Sequence, residues 1–277
     1  MVKSFHQQVV WITGASSGIG EALAYAFAAA QARIIISSRN VAELDRVKQQ
    51  CKAQPDNILL LPLDLTDTED IALKAAQGLT KWGRIDCLIH NAGIAARDTV
   101  DRTDMEVFRR VMETNYFGPV ALTKAVLPSM LLAGKGQLVV VGSLSSKFGV
   151  PKLAAYAASK QALQGFFESL RTEVRKRGIA VTFVIPGFIN TPILLKAIDG
   201  QGKVMGRNLA VNEKGMSSEQ CATLILRAIA KGKQEAFIGG SETWSVYLHR
   251  FFPAAFNKAI ASHPIRRLRK LLPWLFK

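Results

Sequence analysis

Short apolar runs alternate with longer segments of helical spacing along most of this chain, and this alternation limits the fold more than any other feature. The runs are rich in β-branched residues and cover Val9–Thr13, Arg33–Ser38, Ile58–Leu63, Cys87–His90, Gln137–Gly142, Ala180–Ile185 and Glu235–Ile238. Helices of ten or more residues between short strands are typical of βαβ units and a parallel sheet. The sequence therefore predicts an α/β protein, a single doubly wound Rossmann-type domain with a parallel seven-stranded sheet over residues 1–242.

Two segments depart from this alternation. Residues 192–216 contain four glycines and show no strong periodicity, and a loop of that length in a compact domain is typically a lid. We expect it to cover the substrate, and we expect the next helix to begin at Ser217 with a capping box that includes Gln220. Residues 243–277 are predicted to form a C-terminal extension that is basic and hydrophobic.

The charge of the chain is strongly positive and unevenly distributed. Its 36 Lys and Arg and 21 Asp and Glu give a formal net charge of +15, and residues 243–277 contain seven of the cations and no acid. Such an excess suits nucleic acid or an anionic membrane surface. The basic residues do not form a recognisable module with interleaved aromatic residues, so we expect no nucleic-acid partner.

A membrane surface fits the C-terminal tail better than nucleic acid does. On a helix, Ile265–Leu272 would place its apolar side chains on one side and its four cations mainly toward the other. Trp274 and Phe276 add aromatic side chains of the kind favoured at headgroup depth. Peripheral membrane contact through the tail is therefore one hypothesis, and packing of the tail across a subunit interface is the alternative.

Cysteine and histidine usage indicates a reducing compartment and no metal site. Cys51, Cys87 and Cys221 are far apart and form no CxxC pair, and the four histidines show no ligand spacing. No secretory signal is visible, and no run of about 18 apolar residues could span a membrane. We therefore expect a cytoplasmic protein, which the tail hypothesis would place at the inner face of the membrane.

A glycine-rich turn lies where the first strand meets the first helix. Gly14, Gly18 and Gly20 are spaced as GxxxGxG, which lets the backbone approach the pyrophosphate of a dinucleotide at the helix N-terminus. The spacing alone is a weak signal, and a turn without a ligand is the alternative. The order of strand, turn and helix favours dinucleotide binding.

The end of the second strand indicates which dinucleotide binds. An acid about 20 residues past the glycines would bind the ribose hydroxyl of NAD, but this strand is followed by Ser38, Arg39 and Asn40. A guanidinium at this position can hold a 2′-phosphate through charge-assisted hydrogen bonds. The sequence therefore favours NADP(H) as the cofactor, and the alternative role for Arg39 is a solvated loop charge.

Three side chains form a candidate proton-transfer group. Tyr156 and Lys160 lie four residues apart, so a helix would place them on one face. A free tyrosine has a pKa of about 10, and a neighbouring ammonium is expected to lower that pKa and make the tyrosine a usable acid or base. Ser143 ends an apolar strand, where its hydroxyl could hold a substrate oxygen. A solvated helix face explains most Tyr-x-x-x-Lys pairs, so the pair alone is weak.

A family resemblance strengthens this interpretation. Over about residues 8–240 the sequence resembles the short-chain dehydrogenase/reductase family, with the family's motifs in order and at family spacing. The matching pieces are Thr13–Gly20, Asp64, Asn91–Gly93, Asn115, Ser143, Tyr156–Lys160, Pro186–Gly187 and Thr191. His90 is a departure, because the family often has asparagine there, but that position is not a proton-transfer residue in the family pattern.

The resemblance implies a role for each site residue. Ser143 orients the carbonyl or alcohol oxygen, Tyr156 transfers the proton, and Lys160 holds the ribose and tunes Tyr156. Asn115 anchors a water relay that recharges the tyrosine, and Asp64 contacts adenine. The implied cofactor-binding residues, of which Ile189 and Thr191 fix the nicotinamide amide, are Gly14, Ser16, Ser17, Gly18, Ile19, Gly20, Ser38, Arg39, Asp64, Leu65, Asn91, Ala92, Gly93, Tyr156, Lys160, Pro186, Gly187, Ile189 and Thr191.

The substrate pocket is expected to be apolar, with no Arg or Lys at its mouth. Its candidate lining residues are Phe148, Val150, Leu153, Phe188, Ile193, Leu194 and Leu195. Within the family, Tyr156–Thr191 is most similar to the branch of 11β-hydroxysteroid dehydrogenases and dehydrogenase/reductase member 7 proteins. Both observations favour a bulky lipid- or steroid-like carbonyl or alcohol; the alternative is that half of these residues are simply core.

Two functional hypotheses follow from these residues. The first is an NADP(H)-dependent oxidoreductase that interconverts a ketone or aldehyde and an alcohol by hydride transfer, with Tyr156 as general acid/base. The second is a non-catalytic dinucleotide-binding regulator, but such a protein would not need Ser143, Tyr156, Lys160 and Asn115 together. The resemblance also implies a homodimer or homotetramer built on the helices around 102–132 and 155–177.

Overall fold

Parallel strands form the centre of the molecule in a computed structural model, which describes residues 5–206 and 214–262. The strands are β1 (Val9–Thr13), β2 (Arg33–Ser37), β3 (Ile58–Leu60), β4 (Cys87–His90), β5 (Gly136–Val141), β6 (Ile179–Pro186) and β7 (Glu235–Ile238). They pair in the order β3-β2-β1-β4-β5-β6-β7, and every pair is parallel. The predicted parallel seven-stranded sheet is confirmed.

Helices cover both faces of this sheet. Within the described ranges they are α1 (Gly18–Ala29), α2 (Val41–Gln50), α3 (Thr68–Trp82), α4 (Met105–Met112), α5 (Gly118–Leu132), α6 (Ala154–Val174), α7 (Ser218–Ala230), α8 (Ser245–Phe251) and α9 (Pro253–Ser262). One apolar cluster joins the sheet to α1, α2 and α7, and a second joins it to α3, α5 and α6. The chain is therefore doubly wound, as predicted.

The central strands are apolar on both faces because both faces are covered. Val9 and Trp11 of β1 belong to the cluster with α3, α5 and α6, whereas Val10 and Ile12 belong to the cluster on the opposite side. None of the four has exposed surface. This alternation is the reason that a buried parallel strand reads as a continuous apolar run in the sequence.

β3 ends three residues earlier than the predicted Ile58–Leu63. Pro62 has no backbone N–H, so it cannot donate a hydrogen bond to the neighbouring strand. Leu61 and Leu63 still donate to the backbone beside β2, at 3.0 and 3.2 Å. The apolar run therefore continues alongside the sheet, but the regular ladder stops before Pro62.

The strand order reverses at β1, and this reversal positions the site. β2 and β3 lie on one side of β1, and β4 to β7 lie on the other. The connections after β1 and β4 leave the sheet in opposite directions and open a crevice at the carboxyl ends of the strands. Ligands of doubly wound sheets bind in such a crevice.

The structure describes part of the predicted lid. Backbone bridges pair Ile198 with Ala96 and with Val204, so residues 192–206 pack against the loop after β4. α7 begins after Ser217 as predicted, with the Ser217 hydroxyl accepting the backbone N–H of Gln220 at 3.2 Å. Residues 207–213 lie outside the described residues, and closure over a substrate stays a prediction.

The C-terminal extension begins against the body of the domain. A 3-10 turn (Ser241–Trp244) follows β7 and leads into α8 and α9. Phe256 and Ile260 of α9 pack around Phe148, and the ring centroids of Phe148 and Phe256 are 4.7 Å apart. No helix within residues 5–206 and 214–262 is long and apolar enough to cross a membrane. The predicted tail helix Ile265–Leu272 lies outside the described residues.

Candidate active site

A cavity of about 860 Å³ lies at the carboxyl ends of β1, β4, β5 and β6 and brings most of the predicted site residues together. Gly20 and Asn115 are the two predicted residues that do not line it. Those that do are Gly14, Ser16, Ser17, Gly18, Ile19, Ser38, Arg39, Asp64, Leu65, Asn91, Ala92, Gly93, Ser143, Tyr156, Lys160, Pro186, Gly187, Ile189 and Thr191.

The glycine-rich turn has the backbone that its glycines favour. Gly14 and Gly18 have φ of +67° and +60°, in the left-handed region. A Cβ on Gly14 would lie 2.9 Å from the backbone nitrogen of Ala92, so this turn closely approaches the loop after β4. A Cβ on Gly20 would overlap the carbonyl oxygen of Gly14. Gly20 therefore shapes the turn from behind and does not face the cavity.

Asn91 joins the end of β4 to the glycine-rich turn. Its Nδ2 donates to the carbonyl oxygens of Thr13 and Gly14 at 3.1 and 3.2 Å. The Thr13 hydroxyl accepts the N–H groups of Asn91 and Ala92 at 3.1 and 3.2 Å. These bonds hold the two loops of the cofactor end in one arrangement.

His90 precedes this loop but does not line the cavity. It is 2% exposed, and its Nε2 lies 2.8 Å from the Thr123 hydroxyl. Burial lowers the pKa of His90 to about 3, so the imidazole is neutral at physiological pH. The residue is part of the packing beneath the site.

Arg39 lies at the end of the cavity that follows β2. Its guanidinium is exposed and makes no hydrogen bond or ion pair with the described residues. Asp64 and Glu242 are the carboxylates on the described cavity wall, and neither follows β2. The cavity therefore presents an unpaired cation where a carboxylate would stand in an NAD-selective site.

Lys160 is buried in the catalytic half of the cavity, where it is 4% exposed. Its Nζ donates to the carbonyl oxygen of Val141 at 3.0 Å and lies 5.8 Å from the centroid of the Tyr156 ring. Burial lowers the pKa of Lys160 to about 8. The ammonium is thus held by the end of β5 and lies over the face of the tyrosine ring.

The prediction that Lys160 lowers the pKa of Tyr156 is wrong for the protein without a bound cofactor. Burial raises the pKa of Tyr156 to about 12, and a hydrogen bond with Ser143 lowers it by less. Removal of the phenolate from water is the larger cause. The neighbouring Lys160 ammonium donates to the carbonyl oxygen of Val141. The Ser143 hydroxyl is itself held in place, because its Oγ accepts the backbone N–H of Ser145 at 3.2 Å.

Asn115 lies behind the catalytic group in a π-helical turn (Glu113–Phe117) between α4 and α5. Its amide exchanges two hydrogen bonds with the backbone of Ile94, at 2.8 and 2.9 Å. Nδ2 also donates to the Ser159 hydroxyl at 3.0 Å. Asn115 therefore ties the loop after β4 to α6 beside Lys160, and π-helical turns are frequent at functional sites.

The substrate end of the cavity is apolar but not free of charge. The described wall includes six of the seven predicted residues, and Leu195, which is 40% exposed, is the one that does not line it. Arg97, Arg110 and Lys196 line the cavity as well. The expectation of a wall without Arg or Lys is therefore wrong for the cavity as a whole. Arg97 and Arg110 come from other segments, and Lys196, which directly follows Leu195, donates to the Ser17 hydroxyl at 3.2 Å.

Comparison with known proteins identifies the family. The family described as short chain dehydrogenase matches this chain over residues 8–201, which includes the glycine-rich turn, Ser143, Tyr156 and Lys160. The chain belongs to the short-chain dehydrogenase family. It is accordingly an oxidoreductase.

Relatives within the short-chain dehydrogenase family confirm the predicted similarity to member 7 proteins. A "Dehydrogenase/reductase SDR family protein 7-like" of Anopheles gambiae is 42% identical over 236 residues, which are 83% of this chain and 74% of the relative. A "Dehydrogenase/reductase SDR family member 7B" of Bos taurus is 40% identical over 269 residues, 95% of this chain and 82% of the relative.

A solved structure confirms the dehydrogenase fold. A short-chain dehydrogenase/reductase from Burkholderia phymatum, in complex with NAD, matches with a TM-score of 0.80 at 21% identity. The match covers 90% of this chain and 94% of the other. At this identity the likeness concerns the fold alone.

The C-terminal segment forms a part of the dehydrogenase cavity that is not predicted from the sequence. These wall residues are Glu242, Trp244, Ser245, Leu248, Phe256 and Ile260. Nothing in their spacing relates them to Tyr156, which lies more than 80 positions earlier. The signal that could have indicated them is the apolar content of α8 and α9, which lie in the predicted C-terminal extension.

Among the described residues, no group of His, Cys, Asp and Glu could hold a metal ion.

Proposed function

We propose that this dehydrogenase is NADP(H)-dependent and interconverts a ketone or aldehyde and an alcohol. The observation that carries the proposal is the convergence of Ser143, Tyr156 and Lys160 in one cavity with the glycine-rich turn. Reduction adds a hydride to the carbonyl carbon and a proton to its oxygen. A bound nicotinamide dinucleotide would supply the hydride, and the chain's own residues supply the proton and its positioning.

The fit of a dinucleotide rests on the backbone of the turn and on Arg39. The left-handed Gly14 and Gly18 expose the N-terminus of α1, where an anionic pyrophosphate is favoured. The unpaired Arg39 supports NADP(H) over NAD(H), because a guanidinium can form two parallel hydrogen bonds to the 2′-phosphate. Asp64 lies on the cavity wall near this end, as the adenine contact requires.

The raised pKa of Tyr156 suits the role of acid in carbonyl reduction. A tyrosine with a pKa of about 12 holds its proton at neutral pH. Ser143 would hold the carbonyl oxygen, and Tyr156 would transfer its hydroxyl proton to that oxygen as hydride arrives at the carbon. The Lys160 ammonium lies near enough to stabilise the phenolate that remains. Asn115 would then support return of a proton through water.

An apolar carbonyl compound or alcohol fits the substrate end. Phe148, Leu153 and Phe188 form the predicted wall, and α8 and α9 add Leu248 and further apolar surface. Pockets of this kind bind a mostly apolar ligand and orient it with few polar groups. A lipid- or steroid-like ketone is therefore the substrate class that we propose.

Peripheral membrane contact and self-association are separate proposals. Trp244, which lines the cavity, is 51% exposed, and Phe251 and Phe252 are 67% and 62% exposed. No acid follows Glu242 in the sequence. Aromatic and cationic side chains together favour an anionic membrane surface, which would place a cytoplasmic protein at the inner face. Full-length protein should sediment with anionic vesicles at low salt. A chain ending at Ser262 should not, because it keeps these aromatic side chains but lacks Arg266, Arg267, Arg269 and Lys270. If truncation instead abolishes a homodimer or homotetramer, the tail belongs to a subunit interface.

The test of the proposed function is a reductase screen. Purified protein is incubated with NADPH or NADH and a panel of apolar ketones and aldehydes, and loss of absorbance at 340 nm is followed. We expect turnover with NADPH that exceeds turnover with NADH. Binding of NADPH without turnover of any carbonyl or alcohol in the panel would favour the regulatory alternative.

A further inference from the structure

Glu242 is the last acid before the basic C-terminal segment, and its side chain turns back toward the cofactor end of β6. Its Oε1 accepts the backbone N–H of Phe188 at 2.9 Å and that of Gly240 at 3.0 Å. Its own carbonyl oxygen accepts the Ser245 hydroxyl at 2.5 Å. One residue therefore contacts the turn after β6, the turn after β7 and the start of α8.

Two glycines make room for this carboxylate. A Cβ on Gly187 would overlap Oε1 and lie 2.9 and 3.0 Å from Cδ and Cγ of Glu242. A Cβ on Gly239 would lie 2.6 Å from the same Oε1. The three atoms nearest to the added carbon at Gly187 all belong to Glu242, so the glycine and the glutamate are fitted to each other.

We propose that Glu242 is a positioning residue that fixes the Gly187–Phe188 turn relative to the C-terminal wall of the cavity. The inference rests on the proposed function, because this turn borders the place of the reacting cofactor ring. Gly187 and Phe188 line the cavity on one side of Glu242, and Trp244 and Ser245 line it on the other. A shift of about 1 Å in such a support can lower a rate about 100-fold.

The contact depends on a hydrogen-bond acceptor and not on charge. Glu242 forms no ion pair with the described residues, and both bonds end on the same oxygen. A glutamine has a carbonyl oxygen at the same position and accepts the same two N–H groups. Replacement by alanine leaves both donors without this partner, whereas Phe188 and Asn190 keep their backbone bonds to Met216. We therefore expect the alanine variant to fold.

The first experiment compares Glu242→Ala with Glu242→Gln. In Glu242→Ala, kcat for carbonyl reduction should fall by about 10- to 100-fold, while the Kd for NADPH changes by less than about 3-fold, because the phosphate contacts lie elsewhere. Glu242→Gln should retain kcat within about 3-fold. Glu219→Ala, an exposed glutamate on α7, should match the wild type. Equal loss in Ala and Gln, or no loss in Ala, would overturn the proposal.

The second experiment tests the fit with Gly187. Gly187→Ala should lower kcat in the wild-type background, because the added methyl group displaces the Glu242 carboxylate. In the Glu242→Ala background the same substitution should cost little more, since the space is then free. Fully additive losses in this double-mutant cycle would contradict direct coupling.

A measurement without turnover separates this proposal from the proposed function. The Phe188 amide should exchange with deuterium at least about 10-fold faster in Glu242→Ala than in the wild type, and at wild-type rate in Glu242→Gln. Unchanged exchange in Glu242→Ala would overturn the positioning role. If the two variants show this exchange pattern but the wild-type protein reduces no carbonyl compound, the proposed function is refuted and the positioning role is not.

Discussion

At the scale of single residues, burial decides the protonation state of the site before any cofactor binds. Tyr156 keeps its proton because its pKa rises to about 12, and Lys160 loses affinity for its proton because its pKa falls to about 8. Both shifts have the same cause, the cost of removing a charge from water. The site is therefore poised with a neutral acid beside a cation that is easily discharged.

Tyr156→Phe removes the proposed proton donor and little else. A positioned general acid contributes about 10²–10⁴-fold in rate, so kcat should fall by that factor while NADPH binding is retained. Steady-state kinetics and a fluorescence titration with NADPH measure the two quantities. More than about a tenth of wild-type turnover in the purified variant would show that another group donates the proton.

Arg39→Ala tests the choice of cofactor. Hydrogen bonds to a charged group contribute roughly 1.5–3 kcal/mol, so the Kd for NADPH should rise by about 10- to 150-fold and the Kd for NADH should barely change. Arg177→Ala is a matched control, because this exposed arginine follows α6 and does not line the cavity, so the Kd for both cofactors should be unchanged. Equal losses for NADPH and NADH in Arg39→Ala would mean that the arginine supports its loop only.

His90 should make the fold sensitive to acid. Its pKa falls from 6.5 to about 3 on folding, so the unfolded chain binds a proton that the folded chain excludes between these values. The contribution of His90 to the free energy of unfolding is therefore fully present above pH 6.5. It decreases as the pH falls, by roughly 2 kcal/mol at pH 5. Urea unfolding of His90→Asn at pH 7 and pH 5 should show a smaller loss than the wild type.

At the scale of elements, the turn after β1 is constrained in two ways at one residue. Gly14 combines a positive φ with contact to the loop after β4, whereas Gly83 has φ of +71° and open space around it. Gly14→Ala should abolish NADPH binding and lower Tm markedly, and Gly83→Ala should lower Tm by only a few degrees, because it adds strain without a clash. Similar effects of the two variants would show that the close approach to Ala92 is not important.

Elements with a strong local signal were predictable from the sequence. β1, β4 and β7 have the predicted bounds, and Ser217 precedes α7 as expected. The π-helical turn at Asn115 was not predictable, because its local residues permit an ordinary helix and tertiary contacts to Ile94 and Ser159 hold the amide in place. The motif residues of the site were predictable, because the chemistry of the site restricts those positions to few residue types.

At the scale of the whole molecule, the sheet was predictable from the sequence, whereas the contribution of the C-terminal segment to the cavity was not. The alternation of strands and helices determines a doubly wound sheet, and the reversal of order at β1 determines where the crevice opens. The wall that α8 and α9 add depends on contacts such as Phe256 with Phe148, which are more than 100 residues apart. No local pattern predicts such contacts, and none relates Arg97 or Arg110 to the catalytic motif.

The most direct test of the central claim follows the hydride itself. The carbonyl compound that is reduced most rapidly in the screen is incubated with the protein and NADPH that carries deuterium at both positions of C4. The alcohol is analysed by mass spectrometry and NMR. We expect one deuterium per molecule of alcohol, located on the former carbonyl carbon, and a strongly reduced rate in Tyr156→Phe. Alcohol without deuterium, or oxidation of NADPH without formation of alcohol, would contradict it.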